Sequence, residues 1–239
     1  MDNLTHSLVG IAMAEAALQL QNSETASKLR KTALLASLLA NNIPDLDFVY
    51  YWITPGHLGT LLHHRGHTHT ALMALPQALI AAWLAQAFTR GRNASPPTAL
   101  DLKDKLLIGC LSILGVLMHV FMDTWNSYGT HPFWPFSGRW VYADFAFLFE
   151  PTIWAVLIPY LFFTSVRHAR SPRTWKGILL FIFVAGVVVP WRAGFVPAPI
   201  SAALAVLGIS LYYCFRAARD SWRLPIVAAP GGRSWPRSR

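Results

Sequence analysis

Seven apolar stretches recur along the chain, separated by polar, basic or Pro/Gly-rich residues. Their lengths and spacing predict helices over residues 4–20, 32–43, 71–88, 106–122, 152–166, 177–191 and 196–215. The third runs for 18 residues, or about 27 Å of helix at about 1.5 Å per residue, close to the roughly 30 Å of bilayer hydrocarbon. The first two are short or polar for full spans, with His6, Ser7 and Glu15 interrupting the first, and are expected to be partly embedded or re-entrant. Asn3 or Thr5 can cap the first helix. Pro44 disfavours helix at the residue before it, so the second ends near there.

The expected fold is all-α: a polytopic membrane bundle with about five to seven membrane helices. The alternative is a soluble all-α protein with buried helices, and the repeated long runs of low charge argue against it. Residues 1–215 read as one integral membrane domain, and 216–239 as a basic tail, disordered at its end. There is no internal repeat and no boundary to a soluble domain.

Composition sharpens this picture. Charged residues make up 13% of the chain, against roughly 25% in an ordinary soluble domain. The net charge of +9 sits in short blocks beside apolar runs, not on an aromatic-interleaved surface, so no nucleic acid is expected. Basic residues cluster after the first, third, fifth and seventh stretches. The other connections carry only Arg65, Arg139 and Arg192. The positive-inside rule then puts the basic connections and the C-terminus in the cytoplasm and the N-terminus outside. Met1-Asp2-Asn3 lacks a positive n-region, so no cleaved signal peptide is expected. Cys110 and Cys214 lie in apolar segments, which suggests no disulfide framework and excludes a Cys-rich zinc site. The loop over 123–151 is rich in Trp, Phe, Gly and Pro and suits a membrane interface.

The candidate chemistry centres on His63-His64-Arg65-Gly66-His67-Thr68-His69-Thr70. Neutral imidazole is a common ligand for zinc and similar metals. A solvated His-rich turn is the plain alternative. Other stretches supply compatible donors: His6 at the start of the first helix, and Asp45 and Asp47 after Pro44. His119 and Asp123 are four apart and share a helix face; a simple His–Asp hydrogen bond would use the same spacing. His131, Asp144 and Glu150 follow in the next loop, as ligands or as partners that fix a histidine tautomer. All of these fall at the non-cytoplasmic face, although that face was assigned from Lys and Arg alone. Arg65 can hold a phosphate or carboxylate, or pair with Asp45 or Asp47. Thr68 and Thr70 are candidate caps for the helix that follows. His57 and His168 read as surface residues.

Thr5-His6-Ser7-Leu8-Val9-Gly10, Pro44-Asp45-Leu46-Asp47, His64-Arg65-Gly66-His67-Thr68-His69-Thr70 and His119-Val120-Phe121-Met122-Asp123 together resemble the YdjM-like inner-membrane family, described as membrane-bound metal-dependent hydrolases. The resemblance covers roughly residues 1–150. It implies that His64, Arg65 and His69 carry the signature, with His67 at a variable position. Ligand order is also similar to zinc-dependent phospholipase C and single-strand nucleases, helical enzymes with a multi-zinc site acting on phosphodiesters. Their N-terminal metal-binding tryptophan has no counterpart at Met1.

The leading expectation is a membrane-embedded hydrolase using one to three divalent ions, most simply Zn²⁺, on a phosphoester or other ester of a membrane lipid or lipid-linked substrate. His6, Asp45, His64, His69, His119 and Asp123 would hold metal. Asp47 would serve as general base or bridging ligand, and Arg65 would contact substrate charge. Two alternatives stand beside it: a divalent metal-ion transporter, and a non-catalytic membrane protein with a structural metal. Transport would need ionisable residues to continue through the bilayer, and the last three stretches hold almost none.

Overall fold

The structure, a computed structural model, describes residues 1–49, 65–89, 100–146, 150–165 and 171–221. Among them are seven α-helices: α1 Asn3–Gln19, α2 Ser23–Ala40, α3 Ala71–Thr89, α4 Leu102–Asp123, α5 Pro151–Thr164, α6 Pro172–Arg192 and α7 Ala198–Ser221. Two 3-10 segments, Ile43–Val49 and His67–His69, lie between α2 and α3. The fold is the all-α membrane bundle that the hydropathy pattern predicts.

Capping explains where several helices begin. Asp2, not Asn3 or Thr5, caps α1, its carboxylate accepting from Thr5 N at 2.9 Å. Asn22 caps α2, so this helix starts well before the predicted residue 32. Lys28 and Arg30 therefore lie on a helix rather than in a loop. Their charges are compensated there: Lys28 Nζ is 2.5 Å from Asp104 Oδ2, and Arg30 pairs with Glu15. A capping box between Asp101 and Asp104 starts α4 at Leu102, inside the region predicted to be loop. Thr70 Oγ1 accepts from Met73 N at 3.2 Å, capping α3. Pro151 and Pro172 stand in the first turns of α5 and α6, where the missing N–H costs nothing.

α1 to α4 run alternately up and down, and α2 touches all three others. One core layer joins Leu18, Leu29, Ala33, Ala85, Ile108 and Leu111; an alanine-rich layer joins Ala40, Ala74, Ala78, Ala81 and Val116. Small side chains let the helix backbones approach closely, the usual way membrane helices gain packing energy. α5 packs against α1 through Leu8, Ala12, Trp154, Ile158 and Leu161, and α6 and α7 cover its other side.

Four helical segments are long and apolar enough to cross a bilayer: Ala71–Thr89, Leu102–Asp123, Pro172–Arg192 and Ala198–Ala218, with Pro151–Thr164 a shorter apolar helix. α1 and α2 do not meet that standard, in line with their polarity. The alternation brings the start of α1, the end of α2, the start of α3 and the end of α4 to one end of the bundle. Lys28, Arg30, Lys103 and Lys105 lie toward the other.

Candidate metal centre

Asp45, His69, His119 and Asp123 converge at that first end. One ligand atom from each lies within 4.8 Å of those of the other three. Each arrives on a different local device. Asp45 sits on the 3-10 turn that Pro44 forces at the end of α2. His69 ends the 3-10 segment before α3. His119 and Asp123 project from one face of the last turns of α4.

The separations suit a metal. His69 Nε2 is 3.1 Å from His119 Nε2, 3.4 Å from Asp45 Oδ1 and 3.2 Å from Asp123 Oδ2. His119 Nε2 is 3.4 Å from Asp45 Oδ1 and 3.6 Å from Asp123 Oδ2. A tetrahedral ion with bonds of about 2.0–2.1 Å needs ligand atoms about 3.3–3.4 Å apart. Two imidazole nitrogens with two carboxylate oxygens also form a donor set that zinc accepts. These residues can therefore hold a divalent ion.

Neighbours orient the rings. His119 Nδ1 lies 2.7 Å from the Asn41 carbonyl, which can only accept, so Nδ1 carries the proton and Nε2 offers its lone pair to the cluster. His69 Nδ1 is 2.9 Å from Thr68 Oγ1 and 3.6 Å from Asp47 Oδ2. Burial works against charge on His69, but Asp123 and then Asp45 outweigh it and raise its pKa. Burial pushes the Asp45 carboxyl up, but bonds from His119 and His69 outweigh it and hold the group well below the usual carboxylate range.

His6 is fully buried and stacks on His119 with ring centroids 3.8 Å apart. Its Nε2 lies 3.3 Å from Asp123 Oδ1, yet neither ring nitrogen has a hydrogen-bond partner among the described residues. The Met1 amino group also contacts Asp123 Oδ1. His6 thus presents a desolvated nitrogen to the second oxygen of a carboxylate whose first oxygen faces the four-residue cluster.

Two predicted catalytic residues take other places. Asp47 stands behind His69, where Oδ2 accepts from Arg65 N at 2.8 Å and Thr68 Oγ1 at 3.1 Å. That position suits holding a loop and a ring. Arg65 is 4% exposed, and its side chain turns inward. Nε lies 3.2 Å from Asp123 Oδ2, and Nη1 donates to Asn126 Oδ1 at 3.0 Å and to the Asp123 carbonyl at 3.3 Å. The pairing with Asp45 or Asp47 is replaced by one with Asp123, because the left-handed backbone at Arg65, φ 58°, turns its N–H rather than its guanidinium toward Asp47. Nε and Nη1 of the guanidinium are thus turned toward groups of the protein itself.

The remaining candidates among the described residues lie outside the four-residue cluster. His67 is exposed and rests on Trp134, with centroids 4.6 Å apart. His131 stacks on Trp140 at 4.8 Å; burial and then the charges of His67 and His69 lower its pKa. Asp144 is an exposed loop residue with φ 54°, and Glu150 precedes α5 at its N-cap. His64, with His57, His63 and His168, falls outside the described residues.

Asn41 carries no signal of a site residue in the sequence. It is fully buried, and Gly10 and Gly115 make room for it: a Cβ on either would stand about 3 Å or less from its side chain. Its contribution to His119 is a backbone carbonyl, which has no side-chain signature.

No solved structure matches the chain. "Uncharacterized protein YfhP" of Bacillus subtilis (strain 168) is 27% identical over 186 residues, 78% of this chain. The aligned part makes up 52% of that relative, so the chain spans about half its length. The expected likeness to zinc-dependent phospholipase C and single-strand nucleases finds no support in these comparisons. The profile of the YdjM inner membrane protein family matches residues 1–222, and the chain belongs to that family.

Proposed function

We propose that the chain is a membrane-embedded, metal-dependent hydrolase of a phosphoester or carboxylic ester. The observation that supports this best is the mixed Asp/His cluster at one end of the bundle. Three of its members are fully buried, while the Asp45 side chain keeps 12% exposure and marks the side from which solvent can enter. His69, His119, Asp45 and Asp123 would hold the ion, and His6 with Asp123 Oδ1 would offer a second position. A bound Zn²⁺ supplies a Lewis acid that polarises the scissile group and lowers the pKa of water toward about 7. The chain itself orients His119 through Asn41, His69 through Thr68 and Asp47, and Asp123 through Arg65.

We further infer from the basic residues at the opposite end that the cluster faces the periplasmic side. A membrane lipid is then the natural substrate, since the cluster lies at the end of the membrane-spanning α4. The test is turnover of phosphodiester and carboxylic ester lipids in proteoliposomes, with and without chelator. Chelator-sensitive turnover that His119→Ala abolishes supports the reading; no turnover of either class with metal bound overturns it.

One observation favours a second reading. Four protein donors already satisfy a tetrahedral ion, and closed sites of that kind are structural. In that case chelation would lower the melting temperature without any hydrolytic activity to lose. Transport has less support: toward the other end of the bundle the next buried charge among the described residues is Glu15, and Arg30 pairs with it. Zinc uptake into proteoliposomes would revive that reading.

A further inference from the structure

Beside the cluster, α1, α4 and α5 leave a groove of about 270 Å³. Val9 of α1, Met118 and Met122 of α4, and Ile153 and Leu157 of α5 form its walls, with Trp125 beyond the end of α4. No polar atom is exposed along it. Its place beside the metal centre follows from the chain: Met118 and Met122 immediately precede His119 and Asp123, and Val9 lies about one turn beyond His6.

A water in such a groove would have no partners, because buried waters need two to four polar contacts. The groove also continues a lipid-facing surface. α4 is long and apolar enough to cross the bilayer, and Leu114 and Phe121 on it are each 54% exposed. With α4 spanning a bilayer, the medium around Leu114 and Met118 would be hydrocarbon. The volume lies just under the roughly 300–1,000 Å³ of whole-ligand sites, which is room for a length of chain and not for a polar head. Two methionines give the wall side chains that adapt to a flexible occupant.

We propose that this groove seats one acyl chain of a membrane phospholipid, with the lipid's ester groups at the Trp125 end, level with Asp123. This rests on the lipid-substrate reading above and adds the element that selects the substrate by its tail. Lipid entry is lateral, from the bilayer into the groove, so that only the head must reach the cluster.

The test uses the full chain purified from membranes in mild detergent, with retained phospholipid counted by native mass spectrometry and metal content measured in parallel. The half-exposed Val156, which also borders the groove, allows a filling substitution. Val156→Trp and, separately, Val9→Phe are expected to reduce retained phospholipid about tenfold, equivalent to about 1.4 kcal/mol, with metal content unchanged. Val184→Trp, on the exposed face of α6, is expected to leave retention as in the wild type. Equal retention in both groove variants and wild type overturns the proposal, as does equal loss in Val184→Trp, which would mark general annular lipid. Dimerisation of the wild type through this face, relieved by the groove variants, also overturns it. The readout needs no turnover. Groove-dependent retention in a protein that hydrolyses nothing sinks the hydrolase reading alone; hydrolysis with retention insensitive to Val156→Trp and Val9→Phe sinks the groove alone.

Discussion

Asp123 is fully buried and faces Arg65, His69 and the Met1 amino group at once. Asp123→Asn would leave the buried Arg65 guanidinium without its counter-charge. Breaking a buried pair in this way costs about 3–5 kcal/mol, so the chelator-treated variant should unfold well below the wild type in a thermal melt. His69 gives a pH signature in the same chelator-treated protein. Its pKa is raised in the folded state, with Asp123, Asp45 and His119 facing it, so its stabilising contribution is fully present below its ordinary value of 6.5. That contribution is lost as pH rises through the raised value. The melting temperature should therefore fall over that interval, and His69→Gln should flatten the fall. At this scale the spacing of His119 and Asp123, the carboxylate after Pro44 and the last histidine of the His-rich stretch were legible in the sequence. The roles of Arg65 and Asp47 were not, because a backbone turn at Arg65 decides which of its groups faces which carboxylate.

At the level of elements, hydropathy located all seven helices but placed the starts of α2, α4 and α6 about four to nine residues late. α2 and α4 both begin in polar sequence, where Asn22 and the Asp101–Asp104 capping box supply what apolar periodicity cannot show. Charges that mark a loop in a hydropathy reading sit on helices here, because Glu15 and Asp104 on neighbouring helices receive them. Glycines on α4 separate packing from propensity. A Cβ at Gly115 would stand 2.8 Å from Ala40 Cβ and from Asn41 Nδ2, whereas Gly109 has nothing within 4 Å. Gly115→Ala should cost about 1–3 kcal/mol and weaken metal binding by displacing the carbonyl that orients His119. Gly109→Ala should be neutral or stabilising by up to about 1 kcal/mol, with metal binding unchanged. Melting curves and a zinc titration on both variants check this pair.

For the whole molecule, helix alternation gathers the donors at one end and puts Lys28, Arg30, Lys103 and Lys105 toward the other. That polarity was legible from Lys and Arg alone; the bundle's packing, with α2 at the centre, was not, since apolar stripes do not name their neighbours. With Cys110 and Cys214 replaced, a cysteine at Phe136 should react with a membrane-impermeant thiol reagent on intact cells, and one at Lys103 only after lysis. The reverse pattern would place the cluster in the cytoplasm. The central claim is that Asp45, His69, His119 and Asp123 hold one ion. Metal content and X-ray absorption on the purified, zinc-equilibrated chain test it most directly. About one or more zinc ions per chain, with N/O ligands at about 2.0–2.1 Å and lost in both His119→Ala and His69→Ala, is the predicted result. A wild-type chain that binds no metal, or one whose zinc and ligand shell persist unchanged in those variants, would contradict it.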